Sequence, residues 1–365
     1  MVRKRLFTLG LSTIAIMSLL TGCNHTIPLL ETAPTESSTE TSVKPSSEIV
    51  LTADYIITNA KIYTEDAVEP WAEAFAVKDG KFVYVGADNT DELNALKIDT
   101  LKIFYDGTNE LGTSMLVDGT VENPDYHGED HMFANADETY TMIKKANEAG
   151  VDIHFHLVGD LAFRQVCDAV EKLKGEIGEL DIQVEMCHCE YVNPADQKRP
   201  AELGIILNWT PQWSGGYFGE GAKEHLGEER FDHMYDFNPM IKSGATVTYG
   251  SDIYSWDEEQ RANPYFGMQT AMTKVDIESP LEDEDGNPKA RASKDAELSL
   301  EDLLRGYTID AAKQLRIDDV TGSISSGKAA NYNVYDKNLF EIEKDSFKDV
   351  LPESVVFEGR EINQN

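Results

Sequence analysis

Short apolar runs separated by turn formers fill residues 51–86. Tyr55-Ile56-Ile57, Ile62-Tyr63-Thr64, Ala74-Phe75-Ala76-Val77 and Phe82-Val83-Tyr84-Val85 are divided by Asn59 and by Asp79-Gly80. An Asp-Gly pair between two strand-like runs predicts a hairpin. Near the C-terminal end, Tyr332 to Tyr335 and Val355 to Phe357 repeat the pattern, with Glu358-Gly359 after the second. The middle alternates between two periods. Leu101 to Tyr105 is strand-like, and Asn135 with Glu138 then caps a helix carrying Met142, Ala146 and Ala149 on one face. Val151 to His156 is the next strand, followed by helically spaced Ala162, Val166, Ala169 and Leu173. Ile182 to His188, Gly204 to Trp209 and Ala245 to Gly250 continue the series. Ser299 then caps a helix with Leu300, Leu304, Tyr307 and Ala311 in one stripe. Strand and helix in alternation predict a parallel sheet or a βα barrel, with roughly five units visible where a closed barrel has eight. No internal repeat accompanies the pattern.

The first stretch stands outside this core. Arg3, Lys4 and Arg5 precede a continuous apolar run from Leu6 to Leu20, and Leu20-Thr21-Gly22-Cys23 follows. The run is short for a transmembrane span and ends in small residues before the cysteine, as a processing site requires. It resembles the bacterial lipoprotein signal, in which Cys23 becomes the lipidated N-terminus. Residues 24–50 are rich in Thr, Ser, Glu and Pro and have no Phe, Tyr or Trp, which predicts a flexible tether containing His25. These features imply an extracytoplasmic protein anchored to a bacterial membrane by its lipid.

The whole chain, 365 residues with 41% hydrophobic content, is long enough for a large enzyme core or two domains. Cys167, Cys187 and Cys189 are the cysteines left after Cys23, and an odd number outside the cytoplasm argues against a disulfide framework. The formal net charge of -34 excludes nucleic acid as a partner, because phosphate contacts need clustered Lys and Arg. It also leaves the lipid as the means of membrane attachment.

The flanking strands and the alternating units together carry a resemblance. Ala53-Asp54-Tyr55-Ile56-Ile57-Thr58-Asn59-Ala60-Lys61-Ile62-Tyr63-Thr64 and Ala72 to Gly80 open it. Lys102 to Gly107, His156-Leu157-Val158-Gly159-Asp160, His188-Cys189-Glu190, Gly250-Ser251-Asp252 and Tyr307-Thr308-Ile309 continue it, and Gly322-Ser323-Ile324 with Gly327-Lys328-Ala329 completes the set. In this order they resemble the metal-dependent amidohydrolase superfamily, in the branch (amidohydrolase family 3) that includes N-substituted formamide deformylases. The resemblance implies an α/β fold: a TIM-like (β/α) barrel, with a small β-sandwich formed by the N- and C-terminal strands. Its domains would be a signal and lipobox over 1–23, a linker over 24–50, a sandwich over 51–97 plus 320–365, and a barrel over 98–319. One departure is large. The chain passes from Asp88 through Leu96 to Lys102, where the family places its first three barrel units, so an incomplete barrel of about five of eight units is expected.

The resemblance also implies a site. Family members carry a His-x-His on the first strand, Lys on the fourth, single histidines on the fifth and sixth, and Asp on the eighth. His154-Phe155-His156 could chelate one ion, since alternate strand residues point the same way. The Gly159-Asp160 that follows fits the fifth-strand signature instead, which makes His156 the ligand and His154 its support. Cys187-His188-Cys189 has a zinc-like composition, but neighbours on a strand face opposite sides. The cysteines are therefore read as buried packing and His188 alone as a ligand. Lys102 matches the lysine that is carboxylated in many members. Asp252 matches the aspartate that binds metal and relays a proton from the attacking water to the leaving amine. Loss of the first three units would remove ligands of one ion and none of the other. One divalent ion, zinc, is then expected on His156 and His188 with Lys102 or Asp252.

Other features carry less. His127, Asp130 and His131 read as a solvated loop. Asp283-Glu284-Asp285-Gly286 fails the calcium-loop pattern because Leu281 and Ala292 occupy its end positions. Gly327-Lys328 lacks the glycine spacing of a phosphate loop. Trp209-Thr210-Pro211-Gln212-Trp213 could line a pocket, and Leu161 stands where the family has Arg. The expected function is metal-dependent hydrolysis of a carbon–nitrogen bond in a small amide or formamide. The competing expectation is an inactive lipoprotein, or the product of an internally deleted gene, because an open barrel exposes sheet edges that a homo-oligomer would have to cover.

Overall fold

A computed structural model describes residues 52–362, except 54, 59, 67, 69, 79, 89–96, 217–218, 254–255 and 292–296. The expected signal with Cys23 and the tether lie outside the described residues, as do Asp79 and most of the junction at which barrel units were expected to be missing. Among the described residues no helix is long and apolar enough to cross a membrane.

The N-terminal runs form a three-stranded antiparallel sheet of β1 (Tyr55–Ile57), β2 (Ala74–Lys78) and β3 (Lys81–Gly86). Gly80 turns between β2 and β3 at φ +68, the left-handed value that its missing Cβ permits. Ala53, Ala74 and Ala76 are buried with Ile56 and Tyr84 against them, a small apolar cluster of its own.

The middle of the chain supplies five parallel strands: β4 (Thr100–Phe104), β5 (Asp152–Leu157), β6 (Val184–His188), β7 (Ile206–Trp209) and β8 (Thr246–Tyr249). They lie in chain order, β4 and β8 at the two edges, with no pairing between those edges among the described residues. Side chains alternate between the faces, as strand geometry requires. Ile103, Ile153, Phe155, Met186, Leu207 and Val247 turn to one face and are buried. There they share the main core with Ala162, Phe163, Val166 and Leu173 of helix α1b, which follows β5 (Asp160–Ile177). The preceding helix α1a (Ala136–Ala149) is capped as the sequence predicts: Asn135 Oδ1 accepts the Glu138 amide, and the Glu138 carboxylate accepts the Asn135 amide. Its buried side is Thr139, Ile143 and Ala146, so Ala149 falls outside the expected stripe. The opposite sheet face is polar. The register sets Lys102 beside His154 and Phe104 beside His156, with Glu185 and Cys187 next along the same two rows.

Ser299 caps helix α2 (Leu300–Tyr307), its Oγ accepting the Asp302 amide. Helix α3 (Ile309–Gln314) follows directly. The C-terminal strands β9 (Tyr332–Val334), β10 (Ser354–Phe357) and β11 (Arg360–Ile362) make a second antiparallel sheet. Among the described residues no strand of this sheet pairs with β1–β3, and none of its residues joins the Ala53–Ala74–Ala76 cluster. A groove of about 650 Å³ separates it from α2 and α3, lined by Leu304, Tyr307, Ala311, Val356 and Phe357.

Candidate metal centre

The chemistry collects where β5 and β6 end. In register, His188 pairs with Leu157, whose side chain faces the buried core. A regular strand would send the His188 ring the same way. Instead the backbone turns left-handed at His188 (φ 68) and Cys189 (φ 44). Each such non-glycine residue costs on the order of 1–2 kcal/mol. The turn is held by the Cys189 amide, which donates to Leu157 O at 2.9 Å, and by the Tyr191 amide, which donates to Val158 O at 3.0 Å. The result brings the His188 ring over to the polar face. Its centroid lies 4.6 Å from that of His156, the rings inclined at 66°.

The same turn corrects one expectation. Cys187 and His188 were read as facing opposite sides. Because the strand geometry ends at His188, both face the same place, and one ring nitrogen each of His156 and His188 and the Cys187 sulfur lie within 4.8 Å of one another. Cys167, Cys187 and Cys189 are all buried as expected, and the Cys187 sulfur in addition faces the two imidazoles. The overlooked signal was the position of Cys-His-Cys at a strand end, where alternation ceases to hold.

Lys102 Nζ donates to Cys187 Sγ at 2.8 Å. Asp252 stands at the rim, its side chain 55% exposed, with Oδ2 4.0 Å from His188 Nε2, and it is not part of the close trio. His154 turns to Glu185: Nδ1 is 2.8 Å from Oε2, and Gln314 Nε2 donates to that same oxygen at 2.7 Å. It therefore supports the wall beside the trio and does not join it. Trp213 stacks on His188 with centroids 5.2 Å apart and planes 10° apart, and both Trp213 and Trp209 belong to the main buried cluster. His127 is occupied elsewhere, Nδ1 lying 2.8 Å from Leu116 O.

Burial holds the His156 imidazole below its usual range, reinforced by the nearby Lys102 ammonium and opposed by the Gly107 carbonyl. Burial also pushes His188 well below that range, with His156 and Lys102 adding to the effect. The Cys187 thiol is pushed up to about 11 by burial, against the pull of Lys102. Both rings are thus kept neutral, the form that binds a cation.

Three observations test the fit of a divalent ion. Two imidazoles and a thiol are borderline-soft donors of the kind zinc takes. His156 Nε2 lies 3.2 Å from Gly107 O. A neutral ring donating there leaves Nδ1 with the lone pair, the arrangement common to ligand histidines. The buried Nδ1 of His188 has no hydrogen-bond partner among the described residues, although buried polar atoms are normally paired. The residues fit the ion.

A clasp behind the trio explains two of the motifs. The Asp106 carboxylate accepts the amides of Met115, Val158 and Gly159 at 2.9–3.0 Å, and Asp160 accepts the Val117 amide at 2.9 Å. Loop 107–118 is thereby tied to the end of β5. A Cβ on Gly159 would collide with the Met115 carbonyl, and one on Gly107 with Thr113.

The chain belongs to the amidohydrolase family, whose family model matches residues 56–362. Protein LONG AFTER FAR-RED 3 of Arabidopsis thaliana is 25% identical over 252 residues, which cover 69% of this chain and 41% of that protein. N-substituted formamide deformylase of Arthrobacter pascens is 26% identical over 213 residues, covering 56% of this chain and 35% of the enzyme. The chain thus spans less than half the length of these relatives. The crystal structure of an uncharacterized metal-dependent hydrolase from Pyrococcus horikoshii OT3 superposes with a TM-score of 0.54 at 24% identity, over 69% of this chain and 47% of that one. The likeness shows the fold, the α/β architecture of the TIM-barrel-like amidohydrolases.

Proposed function

We propose that the protein is a metal-dependent hydrolase acting on a carbon–nitrogen, non-peptide bond of a small amide or formamide. The observation that carries this reading is the convergence of His156 and His188, from adjacent strands, to a centroid distance of 4.6 Å. His156 and His188 would hold a single divalent ion, zinc, with Lys102 or Asp252 as the further ligand. The ion would supply Lewis acidity toward a carbonyl group. Asp252, exposed at the rim 4.0 Å from His188, would accept a proton from the attacking water and return it to the leaving nitrogen. Trp213 would fix the plane of the His188 ring by stacking.

The incomplete barrel belongs to the same proposal, as do the lipid on Cys23, the extracytoplasmic location at a bacterial membrane and a homo-oligomer covering the β4 edge. A second reading, an inactive lipoprotein or the product of an internally deleted gene, is favoured by the exposure of Leu101 and Phe104 on β4. Metal analysis of the purified protein separates the two. The wild type is expected to carry about one equivalent of zinc and to cleave members of a panel of N-acyl and formamide compounds. His188→Ala is expected to lose at least ~100-fold in metal affinity, the upper end for a change in a ligand's supporting shell alone. A wild-type protein that binds no divalent metal would end the hydrolase reading.

A further inference from the structure

We infer that Cys187 is a protein ligand of the metal ion, bound through its sulfur together with His156 and His188. The inference rests on the proposed metal site and puts Cys187 in the place given there to Lys102 or Asp252.

Geometry is the first ground. The three donor atoms lie within 4.8 Å of one another. Zinc–nitrogen and zinc–sulfur bonds of about 2.0–2.3 Å at tetrahedral angles place donors roughly 3.5 Å apart. The trio needs to close by about 1 Å or a little more, within the reach of side-chain rotation. The second ground is the surroundings of the sulfur. Lys102 reaches it at 2.8 Å from the neighbouring row of the sheet, so a cation already faces the atom that must carry negative charge in a thiolate. Carboxylation of Lys102 would remove that cation and set an anion against the sulfur, so the two roles exclude each other. The third ground is the contrast with the other buried cysteines. The Cys189 sulfur donates to Met186 O at 3.6 Å, and Cys167 sits inside helix α1b, so neither belongs to the trio.

On binding, the Cys187 thiol releases its proton to solvent and the sulfur lone pair forms the bond to the cation. The ion keeps its charge state and no electron is transferred. Three protein donors leave a tetrahedral ion one open position, the pattern of catalytic zinc sites. Proton transfer then remains the role of Asp252.

Cobalt(II) titration of the full-length metal-free protein provides the test. A thiolate ligand gives an intense sulfur-to-cobalt charge-transfer absorption in the near ultraviolet, which imidazole and carboxylate ligands do not give. The wild type is expected to show it, as are Cys23→Ser, Cys167→Ser and Cys189→Ser. Cys187→Ser is expected to lose it, while cobalt affinity falls at least ~10-fold. If Cys187→Ser fails to fold, the wild-type spectrum decides alone: bound cobalt without the charge-transfer band overturns the inference. So does a folded Cys187→Ser protein with unchanged affinity and spectrum, and in both cases the hydrolase reading survives. Absence of any cobalt or zinc binding by the wild type overturns both.

Discussion

Strands β4 and β6 lie two places apart in one sheet, yet they inhabit different surroundings. All five residues of β6 are buried, whereas in β4 only Ile103 is. Phe104 is 67% exposed and Leu101 43%, and Leu101 lines a groove of about 800 Å³ with Phe133, Met142 and Val151. The candidate metal donors follow the burial. Cys187 and His188 sit on β6, His156 on β5 between the two extremes, and Lys102 reaches them from the exposed strand. The desolvation that keeps both imidazoles neutral is a property of the β5–β6 side. The β4 side contributes a solvated cation.

The largest expected effect that sharpens this contrast is at the buried centre. Phe155→Ala empties a fully buried position and should cost about 3–5 kcal/mol, read as a drop in the denaturation midpoint. Asp106→Ala should cost about 2 kcal/mol, because three amides lose their acceptor. Hydrogen exchange should then quicken at Met115, Val158 and Gly159; unchanged protection at those amides would remove the clasp from the account. A smaller effect concerns pH. With His156 and His188 held below the ordinary imidazole range, the unfolded chain takes up protons near pH 6.5 that the folded, metal-free chain refuses. Stability is therefore retained above that pH and lost as pH falls below it. A double variant, His156→Gln with His188→Gln, should flatten the melting-temperature profile between pH 7 and 5. Phe104→Ser on the exposed strand should shift stability by no more than about 0.5 kcal/mol. It should also reduce self-association measured by sedimentation; a loss comparable with that of Phe155→Ala would mean that β4 is as covered as β6.

Much of the scaffold was legible. The five parallel strands fall within a residue or two of their apolar runs, because alternate residues of each had to enter one core. Asn135 and Ser299 cap where their side chains can satisfy free amides, and Gly80 marks the hairpin. His156 and His188 could be picked out by order alone. Cys187 could not. Its role depends on where β6 leaves extended geometry, and φ at His188 is set by hydrogen bonds from Cys189 and Tyr191 to the neighbouring strand, which no periodicity encodes. How the two terminal sheets pack was not legible, for a related reason. Alternation shows that β1–β3 and β9–β11 are strands, but what each sheet packs against is decided by long-range contacts. Asp106, within the Lys102–Gly107 motif, anchors the following loop through three backbone amides.

The uncovered strand bears on which reactions suit this protein. Phe104 touches the His156 ring, with centroids 4.9 Å apart, and is itself two-thirds open to bulk solvent. Among the described residues, then, the donors have wet ground on one flank. Transfer of a group to a competing acceptor would be at a disadvantage there, since solvent at tens of molar would intercept it. Cleavage that consumes a water molecule suffers no such handicap.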